Sequence, residues 1–347
     1  MRNFIYILLI FPFIVYSQTG GKHAFPFLDL PDNARAMGLG KRVITVFDDD
    51  IHLGIQNPAA FNSKMHNSIG FNHALLAGGI NHGMIAYARD INKVGTGAIH
   101  LRYISYGKMD RRDETGEHLG TFTAGDFALG ASLGRTINDH LSIGANVNFI
   151  WSQLESYSSM GVAVDVAGMF RTKDEMTVVS AVVKNIGAQL KTYHDNNRYA
   201  LPIDAMLGVS HRLKHAPFRF SLVLHQLNRW NLSYFDPEEK PKNDPLTGEL
   251  IPVKRAGFGE NLARHMVFQV ESIIGKMVRV RLAFDYNQRK EMLVKNRPGM
   301  GGFSFGAGMN FKRFAIDYGI SIYSSAGFHN MIGLRTNFDS WRKADNR

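Results

Sequence analysis

The feature that most limits what this chain can fold into is a period-two alternation running from Asn67 to Phe338. In one stretch Val278, Val280, Leu282, Phe284 and Tyr286 form an apolar face, against Arg279, Arg281, Asp285 and Asn287. Later, Phe314, Ile316, Tyr318, Ile320 and Ile322 alternate with Ala315, Asp317, Gly319 and Ser321. Earlier, Leu141, Ile143, Val147, Phe149 and Trp151 alternate with Ser142, Gly144, Asn146 and Asn148. Successive side chains on a strand point to opposite faces, so each stretch reads as a strand with one apolar face and one polar or tiny face.

Turn-forming clusters divide the region into about 14 such strands, at 67–75, 80–89, 95–106, 124–135, 140–152, 159–171, 175–186, 201–213, 217–229, 263–274, 276–288, 302–311, 312–324 and 326–338. A soluble sandwich also alternates, with its polar face in water. Length favours a membrane barrel, because the longer segments match the 9–11 residues that a tilted strand needs to cross hydrocarbon. The connections favour it too. Short turns at 90–94, 136–139, 172–174, 214–216, 275 and 312–313 alternate with longer loops at 107–123, 153–158, 187–200, 230–262 and 289–301. Short periplasmic turns facing longer external loops are the pattern of an outer-membrane barrel. The expected fold is therefore all-β, a transmembrane antiparallel barrel in the outer membrane of a Gram-negative cell.

The N-terminus agrees. Arg2 precedes 13 apolar residues, Phe4 to Tyr16, followed by Ser17 and Gln18, which reads as a secretory signal peptide over 1–17. Crossing a bilayer as a helix takes about 20 apolar residues, and after Gln18 no such run recurs, so a spanning chain must use strands. Residues 18–66 are too polar to face lipid and suit a plug within the lumen, with a periplasmic extension as the alternative. Residues 339–347 would be a periplasmic tail. There is no cysteine, which removes disulfides and thiolate metal sites. The net charge of +10 would suit a polyanion, but the basic residues are scattered, so outer-membrane lipid and lipopolysaccharide are expected before nucleic acid.

A search for chemistry yields no catalytic, cofactor or metal residue. Ser105 and Lys108 have a Ser-x-x-Lys spacing, but that serine should open a helix and this one closes a predicted strand. His100, His225 and His329 fall on inward faces as ordinary polar lumen residues. Asp48, Asp49 and Asp50 form an acidic run that suits either a hard cation or arginine pairing. Charges on strands are costly against lipid, so Arg102, Asp165, Arg219, Arg279, Arg281, Asp285, Asp317 and Arg335 should face the lumen. Their mixed signs suit pairing with a plug better than an anion filter. Arg35, Asp48, Asp49, Asp50, Asn57 and Pro58 are the candidate plug residues.

The run from Phe27 to Gly40, the Asp48 to Asp50 cluster and Gln56-Asn57-Pro58-Ala59 resemble the N-terminal region of FadL-like outer-membrane barrels. The segments 110–117, 153–159 and 185–193 extend the likeness to the PorQ-like proteins of the type IX secretion system of Bacteroidota. The resemblance implies a 14-stranded barrel with an N-terminal plug and no catalyst. It implies an accessory role in exporting or attaching proteins that carry a C-terminal secretion signal, with other secretion proteins and cargo as partners at loops 107–123 and 230–262. The alternative, from FadL relatives, is a transporter of hydrophobic small molecules, with an apolar pocket and a lateral opening.

Overall fold

The computed structural model describes residues 23–194, 198–233, 242–243, 250–251, 256–275, 277–292, 299–324 and 327–342. The expected signal peptide lies outside them, as do residues 18–22 of the expected plug and the tail from 343. Fourteen antiparallel strands close into a barrel: β1 (Ser68–Leu75), β2 (Asn81–Ile91), β3 (Gly95–Arg112), β4 (His118–Thr136), β5 (Leu141–Leu154), β6 (Tyr157–Arg171), β7 (Thr177–Lys191), β8 (Asp204–Arg212), β9 (Phe218–Leu224), β10 (Met266–Ile274), β11 (Val278–Asp285), β12 (Phe303–Asn310), β13 (Phe314–Ser324) and β14 (Gly327–Asn337). Each strand pairs with its neighbours in sequence. The ring closes where Ser68 to Leu75 pair with Asn337 to Asn330.

The alternation sets which face turns outward. Val147, Phe149, Trp151, Val280, Leu282, Tyr318, Ile332 and Leu334 are exposed, whereas Asn146, Asn148, Arg281, Asp317 and Arg335 are buried. Turns of three to five residues join the strands at one end, the turn end; the other, the loop end, carries every long connection.

Several expected boundaries shift, three of them for a clear local reason. The loop expected at 107–123 is mostly strand, because β3 and β4 continue as a two-stranded ribbon in which Lys108 pairs with Thr123 and Arg112 with His118. Charged side chains masked that ribbon's alternation. The strand expected at 276–288 stops at Asp285, whose carboxylate accepts from the Gln288 amide and caps the short helix Tyr286–Glu291. The strand expected at 217–229 stops at Leu224. Beyond it Gln226 takes a left-handed φ of 53° and donates its amide to Asp204 Oδ1 at 2.6 Å.

The wall is uneven. Strands β3 to β7 have 14 to 19 residues and β8 to β12 only 7 to 9. Between them the ladder is incomplete: β7 pairs with β8 from Thr177↔His211 to Lys184↔Asp204, although β7 continues to Lys191. Asn185, at φ 59°, marks the break, and its side chain donates to the Pro202 carbonyl.

A separate compact unit contains a short antiparallel pairing of Lys242–Asn243 with Leu250–Ile251.

Candidate functional site

Residues 23–65 touch the inward faces of strands all around the ring. They meet Arg102 of β3, Asn146 of β5, Ser180 of β7, Ser210 of β8, Gln269 of β10, Gly319 of β13 and Gly333 of β14. One short segment reaches all these faces only from inside the barrel. Two short helices organise it, α1 (Ala34–Gly38), capped by Asn33, and α2 (Ile51–Gln56), capped by Asp50. Both caps accept an otherwise unpaired amide at the helix start.

The small inward residues are sockets for this segment. A Cβ on Gly319 would run into the Ala34 carbonyl, and one on Gly134 or Gly144 into that of Pro58. Helix α1 comes so close to β12 that a Cβ on Gly38 would stand 2.8 Å from the Gly306 Cα.

The low wall holds the segment by charge. Arg35 donates to both oxygens of Glu271, at 3.1 and 2.9 Å, and to Asp48 at 2.7 Å and Asp50 at 3.3 Å. Glu271 also accepts from Arg219 and Arg281, both at 2.9 Å. Arg281 reaches Asp317 at 2.6 Å, Arg279 reaches Asp48 at 3.4 Å, and Arg335 reaches Asp49 at 3.4 Å. Five arginines thus meet five carboxylates, mostly out of water. Burying such charges costs several kcal/mol per ion, and the fork-on-carboxylate geometry here offsets that cost. Burial pushes the Asp50 carboxyl up, but Arg335, His52 and Arg35 together draw it well below the usual carboxylate range. Asp48 is likewise raised by burial and drawn down further by Arg35 and Arg279.

The remaining candidate residues sit elsewhere on the segment and the wall. Asn57 donates to the Ile44 carbonyl and accepts from the Ala59 amide, next to Pro58 at the start of a 3-10 turn. Arg102 binds the Leu28 and Leu30 carbonyls at 3.3 and 3.2 Å and lies 4.0 Å from Asp32. Asp165 accepts from Asn146 and from the Asn185 amide, within the barrel wall. Asp285 is buried on the inward face, caps the helix Tyr286–Glu291 and adds its charge to those acting on Lys41 and Arg42 of the segment. His100 is buried on Asn148, His225 is buried beside His265, and His329 lies tilted against the Tyr323 ring. Ser105 and Lys108 are exposed strand residues flanking a bulge, not a helix start. Among the described residues no three His, Cys, Asp or Glu groups come together as a metal site. Glu271, at the centre of the network, is not among the residues that the sequence pattern singles out. It shares its face with Gln269 on β10, and its parity was the available signal.

The tall wall holds the segment differently. Ala24, Phe25, Phe27 and Leu28 pack with Ile104, Ala128, Ile150, Ala163 and Leu201 in an apolar chamber. Ile80 and Tyr106 border it towards the loop end. Residues 198–203 run along the incomplete β7–β8 seam, and Ala200 accepts from the Ala24 amide at 2.9 Å. At the turn end, a cup of about 760 Å³ opens between the turns that follow β2, β4 and β6.

No known family and no curated protein matches the chain by sequence. Its fold is similar to that of solved outer-membrane channels. The Ralstonia pickettii toluene transporter TbuX superposes with a TM-score of 0.53 at 9% identity, over 89% of this chain and 99% of that one. The Pseudomonas putida toluene transporter TodX does so with 0.50 at 11% identity, over 88% and 97%. A TodX mutant described as a monoaromatic hydrocarbon channel gives 0.51 at 12%, over 89% and 100%.

Proposed function

We propose that this chain is a FadL-like channel of a Gram-negative outer membrane that passes small hydrophobic solutes. The exposed apolar faces supply the argument for a membrane. A belt of Phe, Trp, Leu, Ile and Val around a closed barrel is far larger than the apolar patches of soluble monomers. A closed barrel is one of two backbone architectures that satisfy their own hydrogen bonds in lipid.

The observation that carries the transport reading is the apolar chamber on the tall wall. It is lined by aliphatic strand residues, filled by Phe25, Phe27 and Leu28, and flanked by a seam where the ladder is incomplete. An apolar solute that replaced those rings would exchange like contacts for like. The barrel fold shared with two toluene transporters supports the same reading. The N-terminal segment then acts as a plug that must shift for passage.

A second reading is an accessory role in type IX secretion, implied by the resemblance of segments 110–117, 153–159 and 185–193. One feature favours it: the β3–β4 ribbon rises above its neighbours and bears Asp110, Arg111, Arg112, Asp113, Glu114 and Glu117 at its tip, which suits protein contact. Deleting the gene separates the two. The transport reading expects slower uptake of a limiting apolar aromatic, with normal surface delivery of proteins bearing the C-terminal secretion signal. Unprocessed or unattached cargo with normal solute uptake would replace it by the secretion reading.

A further inference from the structure

The cup at the turn end has the volume of a small-ligand site. Its floor carries Arg171, the last residue of β6. The guanidinium lies over Phe47, with Cζ 3.5 Å from the ring centroid, and the side chain is only 5% exposed. Nη2 donates to Ser142 Oγ at 3.1 Å, and Nε has no hydrogen-bond partner. Its carboxylate neighbour, Glu175, stands 3.8 Å from Nη1 and is itself 56% exposed. Arg35, equally buried, is held by three carboxylates. Arg171 is therefore a buried guanidinium whose charge is largely unanswered.

Lys64, Lys93, Arg135 and Lys173 line the same cup and are exposed. They outweigh the cup's carboxylates, one of which, Asp90, already accepts from Thr96. The simpler reading is the unfilled end of a barrel with solvated charges around it. That accounts for the rim but not for a guanidinium sunk in the floor, whose Nη1 has only Glu175, 3.8 Å away, as a carboxylate neighbour.

We propose that this cup binds a ligand carrying several carboxylates. One carboxylate seats on Arg171 over Phe47, and the others meet the rim cations. Nη2 is taken by Ser142, so the charge-assisted bond to the ligand carboxylate comes from Nη1, and the contact with Phe47 fixes the plane of the guanidinium. The chemistry has two sources, an acidic segment of a partner protein or a free polycarboxylate. The site lies at the opposite end of the barrel from the apolar chamber and does not depend on the transport reading.

The test uses the full chain in detergent micelles, with fluorescein-labelled hexaglutamate followed by anisotropy at low ionic strength and citrate as competitor. The labelled peptide should bind, and added salt should weaken it. Arg171→Gln should weaken it by at least about thirtyfold. Because Arg171 is buried, the exposed pair Lys93→Glu with Lys173→Glu serves as a second variant and should weaken binding by about tenfold. Lys108→Gln, on the ribbon at the other end, should leave it unchanged. Displacement by citrate assigns the site to free polycarboxylates, and binding that citrate does not displace assigns it to an acidic segment. The proposal is overturned if neither probe binds, or if binding survives both the Arg171 variant and the lysine pair unchanged.

Discussion

Glu271 is the point at which the charge network is most exposed to a single change. It accepts from Arg35, Arg219 and Arg281, all within 3.1 Å, and is 2% exposed. Glu271→Gln keeps the shape and removes the charge. Arg35 then retains Asp48 and Asp50, and Arg281 retains Asp317, but Arg219 is left with no carboxylate among the described ion pairs. Breaking a buried pair costs about 3–5 kcal/mol, and the surviving partners hold this case near ~3 kcal/mol. That shifts the docking equilibrium of residues 23–65 by roughly 100-fold. The chain has no cysteine, so a single thiol reports the shift. Thr45 is fully buried in the segment and its hydroxyl has no hydrogen-bond partner, which makes Thr45→Cys a mild replacement. Where reclosing outruns labelling, the maleimide rate tracks the open population. Glu271→Gln should therefore raise that rate roughly 100-fold while the far-ultraviolet dichroism of the barrel stays unchanged. A rise below about threefold would mean that packing and not charge holds the segment, and the reasoning would fail.

Three further outcomes follow from the same geometry. Gly319→Val should eject α1 and raise labelling of the same Thr45→Cys reporter, because a side chain there meets the Ala34 carbonyl; unchanged labelling would show that the wall yields instead. Asp48 and Asp50 have depressed pKa values in the docked state, so their stabilisation is present above the unfolded carboxylate value of about 3.9 and is lost only as pH falls through the lower docked values. The segment should thus resist pepsin at about pH 4 and become cleavable only at more acid pH, and release above pH 4 would contradict the assignment. Phe25→Ala should open a void in the apolar chamber, at a cost of about 3–5 kcal/mol if the site does not collapse, and should increase binding of an apolar fluorophore. No added binding would remove the chamber from any solute path.

The strand number was legible because alternation and the two sets of connections are independent signals that agree. Val147, Phe149 and Trp151 could only face outward once Asn146 and Asn148 faced in. Side-chain roles were less legible. Asp285 has the parity of a lumen charge, yet its nearness to Gln288 makes it a helix cap, a contact that one residue's parity does not encode. Gly144 and Gly319 read as merely tiny. Their meaning as sockets depends on carbonyls of Pro58 and Ala34, more than 80 residues away in sequence. The ribbon of β3 and β4 was missed because strands that rise clear of the barrel no longer need an apolar face.

The unevenness of the wall bears on which part of the segment can move. Its residues 24–30 lie against the tall wall of β3 to β6 through apolar contacts, whereas Arg35 and Asp48 lie against the low wall and Asp50 against Arg335 of β14 through ion pairs. Apolar contacts are non-directional, so an apolar solute replaces Phe25 or Leu28 at little net cost. Ion pairs are not replaceable in that way. Withdrawing Arg35 would leave Glu271, Asp48 and Asp50 short of a cation inside a low-dielectric lumen, a cost that no hydrocarbon offsets. Under the proposed transport function, a path for hydrophobic solutes would run on the side of β3 to β6 and the β7–β8 seam, with the first turn of the segment yielding and the charged part staying in place as its anchor.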